Sequence, residues 1–129
     1  MKEQGPIYSK SKEFALSVIT LCRLLQANGE YIISNQLFRS ATSIGANYRE
    51  GLASESEGDF VHKMSVACKE AYETQYWLEL LSEGGYINIE DFINLNNFVS
   101  ELIKMLTASI LTLKKKQITQ ITNNKKHNT

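Results

Sequence analysis

Gln36–Gly51, QLFRSATSIGANYREG, packs small residues between two arginines and closes on Glu50-Gly51. A helix puts Leu37, Ala41, Ile44 and Tyr48 on one face at spacings of four, three and four. Ser40, Ala41, Gly45 and Ala46 leave little bulk near that face, so the helix is built for close neighbours. Arg39 and Glu50 fall close to the packing face, which calls for polar partners on an adjoining helix. The fold follows from asking what surrounds this stretch.

After it, helical periodicity resumes most clearly. Phe60, Met64, Ala67, Ala71, Thr74, Leu78 and Leu81 alternate four and three apart, the seam of a packed helix. Ser54 or Ser56 opens that third helix, Glu57 and Asp59 suit its positive end, and Gly84-Gly85 stops it. Asn88 caps a fourth, with Glu90 and Asp91 in its first turn and an apolar stripe from Leu95 to Leu113. Ahead of the opening stretch, Phe14, Val18, Leu21, Cys22 and Leu25 mark a first helix. Ser9 or Ser11 would cap it and Asn28-Gly29 would end it. Ser34 would open the second helix, with an Ile33–Phe38 staple and Gly51 as C-cap.

The expected fold is therefore all-α, an up-down-up-down antiparallel four-helix bundle with helices at about 10–28, 34–53, 56–83 and 89–116. Residues 1–118 form one domain, with a lead-in at 1–8, and 119–129 form a flexible basic tail. Only one proline and seven glycines in 129 residues disfavour a many-stranded fold, and 43% hydrophobic residues allow a real core.

Formal net charge is zero, so no global field argues for nucleic acid or a membrane. Its distribution is uneven. Seven acids stand against Lys63 and Lys69 between Glu55 and Glu83, whereas no acid follows Glu101 and Lys104, Lys114, Lys115, Lys116, Lys125 and Lys126 all do. Copies of such a chain can attract one another, or the basic end can meet an anion. No apolar run suits a bilayer and no signal-peptide core is visible, so a soluble, cytoplasmic protein without membrane association is expected. Cys22 and Cys68 sit inside helical patterns and read as buried free thiols of a reducing compartment.

Chemistry-bearing motifs are sparse. Asp59-x-x-His62 has the spacing of one half of a di-metal bundle site, but no second pair exists, and it reads as a solvated helix start. No histidine can be placed beside Ser40, Ser43 or Cys68 to activate a nucleophile, so neither enzyme activity, nor a metal, nor a cofactor is expected. Arg39, Asn47, Glu50, Glu70 and Glu73 read as a structural polar network, with Arg39 or Arg49 bonded to Glu50 or to Glu70 and Glu73. Arg49 reads as exposed. With Lys114, Lys115, Lys116, Lys125 and Lys126 it forms the candidate nucleic-acid surface, which would follow charge and shape rather than base sequence. Trp77, Tyr72 and Tyr76, beside the seam, are the candidate protein interface of a scaffold without a nucleic-acid role.

The run Gln36…Arg39-Ser40…Ser43-Ile44…Asn47…Glu50-Gly51 resembles the signature of the small four-helix-bundle proteins encoded in 23S rRNA intervening sequences. Asp59-Phe60, Ala67, Glu73, Gly85-Tyr86-Ile87 and Lys104-Met105-Leu106 resemble further parts of that pattern, over roughly residues 10–113. The resemblance implies a four-helix bundle assembling as a barrel-like homopentamer, a family not known as enzymes. It also implies kinship with the accessory variability determinant of diversity-generating retroelements, which binds nucleic acid and works with a reverse transcriptase. Expected partners are thus other copies of the chain, RNA or DNA, and a reverse transcriptase if the gene lies in such an element.

Overall fold

A computed structural model describes residues 4–127; the expectations for residues 1–3 and 128–129 lie outside the described residues. Four helices follow one another: α1 (Pro6–Ala27), α2 (Ile32–Leu52), α3 (Glu57–Glu83) and α4 (Ile89–His127). Short connections reverse the chain each time. Among the described residues each helix packs on its chain neighbours and α4 returns to α1, with no close backbone approach across either diagonal, which makes an antiparallel four-helix bundle. The tightest packing is α2 on α3 and the sparsest is α1 on α4.

The central seam is α3. Met64, Ala67, Ala71, Thr74, Leu78 and Leu81 are all fully buried. They meet Leu37, Ala41, Ile44 and Tyr48 of α2, Phe14, Val18 and Cys22 of α1, and Val99, Leu102 and Leu106 of α4 in one cluster. Phe60, expected in the seam, is only partly buried and packs at its edge, its ring 5.8 Å from that of Tyr48.

Several boundaries differ from the sequence expectation, each for a local reason. Helix α1 begins at Pro6, whose missing N–H costs nothing in a first turn where that group has no helical partner. Ser9 and Ser11 therefore lie inside the helix and cap nothing. Ser11 is buried where α1 meets α2, so close that a Cβ on Gly45 would stand 3.0 Å from its Oγ. Helix α2 begins at Ile32, ahead of Ser34, because buried Glu30 supplies the acceptors: its carboxylate takes the N–H groups of Ile33 at 2.8 Å and Ser34 at 2.7 Å. Ile33 is consequently inside the helix, and Phe38 stays 42% exposed. Gly51 is no C-cap either. The helix runs to Leu52, and Gly51 is buried because a Cβ there would stand 2.8 Å from Phe60. Helix α3 starts as expected on Ser56, whose Oγ accepts the N–H of Asp59 at 3.1 Å.

The largest departure is in α4, which has no break at residue 118 and continues as helix to His127 in place of an aperiodic tail. Neither proline nor glycine follows Gly85 to stop it, and Thr119 and Thr122 bond the carbonyls of Lys115 and Ile118, one turn back. At 39 residues, α4 is about 58 Å long, against about 40 Å for the 27 residues of α3. The end where α1 begins, α2 ends and α3 begins is thus the end from which α4 projects.

Candidate nucleic-acid interface

Lys114 and Lys115 are exposed on α4 just where it leaves the bundle. Lys116 is tied back, its Nζ 3.1 Å from Glu57 Oε1 at the start of α3. Lys125 and Lys126 are exposed in the last turn, where positive charge complements the negative helix end. Arg49 is not fully exposed as expected: its guanidinium lies 3.8 Å over the Tyr8 ring, a cation–π contact between α2 and α1. It shares the bundle end with the lysines but is half-buried against Tyr8.

The polar network is smaller than the sequence suggested. Arg39 does bridge to α3, bonding Glu70 at 3.2 Å and Glu73, and Trp77 Nε1 donates to the same Glu73 at 3.2 Å. Bonding to the guanidinium holds the Glu73 carboxyl below the usual carboxylate range and raises Arg39 further. The Arg39 side chain is nevertheless 49% exposed, so this is a surface clamp and no buried network. Glu50 is not in it. It pairs across the α2–α3 turn with Lys63 at 2.8 Å. Asn47 is not in it either, since its amide donates to Ser43 O of its own helix at 2.8 Å.

Polar contacts that went unrecognised lie between helices. Thr74 and Ser40 meet at 2.9 Å in the α2–α3 core, and Gln75 reaches Asn96 at 3.1 Å and Ser100 at 2.8 Å across α3–α4. No sequence signal marks such pairs beyond a polar residue at a seam position, which Thr74 is. Lys10 pairs with Glu101 across α1–α4.

Among the described residues no three His, Cys, Asp or Glu side chains gather in a metal-holding group, and Asp59 and His62 are exposed at the start of α3. Cys22 is buried, its thiol pushed up to about 11 by burial and by the charge of Glu30. Cys68 is half-buried and also raised, by burial, with a weak contact to Thr107 at 3.9 Å lowering it again. A groove of about 660 Å³ runs between α1 and α4 past Leu21, Leu24 and Leu95, with Arg23 and Asp91 its ionisable lining. No helix of the described residues is long and apolar enough to cross a membrane.

These features define a small antiparallel four-helix bundle whose last helix carries exposed basic residues beyond the bundle end. The family model for the 23S rRNA-intervening sequence protein matches residues 3–108, and the chain belongs to that family. A crystal structure of a protein of unknown function from the S23 ribosomal protein family of Bacteroides thetaiotaomicron is similar, at 43% identity and a TM-score of 0.78. The match covers 81% of this chain and 97% of that one. No curated protein matches. The helix beyond residue 108 lies outside the family match.

Proposed function

We propose that the protein is a non-enzymatic, homo-oligomeric bundle that associates with structured RNA or DNA through the basic end of α4, without reading base sequence. The observation that carries this is the charge of α4 itself: Lys114, Lys115, Lys125 and Lys126 stand exposed on a helix with no acidic residue after Glu101. Within the bundle, Arg39, Lys63, Lys10 and Lys116 are engaged by carboxylates and Arg49 by Tyr8. The pentamer that the family resemblance implies would repeat the basic end around a ring, giving multivalent phosphate contact that one neutral monomer lacks.

The test is retention of duplex DNA and hairpin RNA by fluorescence anisotropy across a salt series. Four phosphate contacts per chain would give a log–log salt slope of about −3 to −4 on duplex DNA. Wild-type affinity at low salt no better than that of Lys114→Ala/Lys115→Ala/Lys116→Ala overturns the assigned surface. A pure scaffold role is the second reading, supported by Tyr72 and Tyr76, which are 60% and 53% exposed one turn apart on α3. Trp77 is partly buried on the core and less suited to an interface.

A further inference from the structure

Helix α4 leaves the bundle as a rod. Leu106 is fully buried, Leu113 and Gln117 are half-buried, and every residue from 118 to 127 is exposed, so the rod stands clear of the other helices there. Its lysines are not scattered around it. Lys114 and Lys125 are eleven residues apart, and so are Lys115 and Lys126. At about 100° per residue, eleven residues turn a helix three times and about 20° more. Lys114 and Lys125 therefore share one row and Lys115 and Lys126 a second. The rows are about 100° apart around the rod, and each is about 16 Å long.

Between the rows lies an uncharged strip. It carries Leu111, Ile118 and Thr122, all exposed. The strip is turned from the bundle, about 140° round the helix from buried Leu106. Lys116, about as far round on the other side, bonds Glu57. The acidic start of α3, with Glu55, Glu57 and Asp59, thus sits behind the rows and not between them.

Two parallel cationic rows on a slender rod complement two parallel anionic walls. The major groove of B-form DNA supplies such walls about 12 Å apart and admits an α-helix, whose diameter with side chains is about 10–12 Å. From these rows we infer that the duplex this protein takes is B-form DNA, with the projecting part of α4 laid lengthwise in the major groove. Lys114 and Lys125 would meet phosphates of one wall, and Lys115 and Lys126 those of the other. This rests on the phosphate association proposed above and adds which duplex and which groove. Ile118 and Thr122 then face the groove floor, where no charge is stranded, and the fit remains one of shape. The minor groove, about 6 Å wide, is too narrow for the rod. A-form RNA has a deep, narrow major groove that excludes it, and a single strand offers one wall. Each of these can meet one row at a time.

The test is fluorescence anisotropy on the full chain with a short DNA duplex and an RNA duplex of the same sequence, at one low salt concentration. DNA should bind at least about ten-fold tighter, since RNA engages half the lysines. Binding should release methyl green, which occupies the major groove, and should be undiminished on DNA whose minor groove is saturated with netropsin. Lys114→Ala/Lys125→Ala and Lys115→Ala/Lys126→Ala each remove one row and should each erase the preference for DNA. These side chains are exposed, so circular dichroism should find both variants folded. Equal affinity for the two duplexes, or loss of binding with netropsin, overturns the groove and leaves phosphate association standing. Retention of neither duplex overturns both readings.

Discussion

Removing Glu30 tests the junction on which α1 and α2 turn. The residue is 7% exposed, and its carboxylate receives two first-turn N–H groups, from Ile33 and Ser34, at 2.8 and 2.7 Å. Hydrogen bonds to a charged group contribute about 1.5–3 kcal/mol each, and loss of an N-cap costs up to about 2 kcal/mol. Ser34 is fully buried, so water cannot replace the lost acceptor at its N–H. Glu30→Ala should therefore cost about 3 kcal/mol, which for a chain of this size lowers Tm by on the order of 10 °C. Glu30→Gln keeps one carbonyl acceptor and should cost about half as much. The control is Ser34→Ala. Its hydroxyl donates only to Glu30 O, at 2.8 Å, and accepts a 3.5 Å contact from Gln26, so about 1 kcal/mol is expected. Urea denaturation at one fixed protein concentration, to hold any assembly constant, measures all three. If Ser34→Ala costs as much as Glu30→Ala, the serine is the cap after all and the carboxylate is not.

Four further outcomes are expected. Gly51→Ala gains about 1 kcal/mol of helix propensity but forces Phe60 and Lys63 aside, an overpacking cost of about 1–3 kcal/mol, so net destabilisation is expected. Gly58→Ala meets only Ser56 Oγ at 3.9 Å and should be neutral or stabilising in the same denaturation assay. The lowered Glu73 carboxyl contributes stability that is present above the ordinary carboxylate range and lost as pH falls through its folded-state value. Arg39→Ala should thus lose at most about 1 kcal/mol at pH 7, since both side chains are well exposed, and the gap should close towards pH 3. Thiol titration at pH 8 should label Cys68 slowly and Cys22 hardly at all in the folded protein, and both in guanidinium; rapid labelling of Cys22 would contradict its burial.

How much of this was legible in the chain depends on whether the physical signal is periodic. The α3 seam could be read residue by residue because burial on a helix repeats every three or four positions, and Met64 to Leu81 obey that without exception. Arg39 could be matched to Glu70 and Glu73 because two acids three apart share a face and α2 had to lie against α3. Helix ends were less legible, since a cap needs only an acceptor in the right place. Glu30 supplies it from four residues ahead of Ser34, the residue read as opening α2, and Pro6 starts α1 with no side-chain cap. Gly51 misled because glycine serves two purposes. It ends helices, and it also lets two helices approach where a side chain would collide, and only the neighbouring Phe60 distinguishes them. Glu50 and Lys63 are thirteen residues apart across a turn, too far for helical spacing to join them.

The extension was misread for a reason that bears on function. Its composition is that of a frayed tail, and by intrinsic propensity a tail it should be; as a helix it exposes Ile118, Ile121 and five lysines from Lys114 onward with little of its own to hold it. If the exposed lysines hold phosphates, Lys114→Ala/Lys115→Ala and Lys125→Ala/Lys126→Ala should each reduce the log–log salt slope on duplex DNA by about 2, since each variant removes two contacts. A slope unchanged in the second variant would show that the helix beyond residue 118 does not reach the duplex.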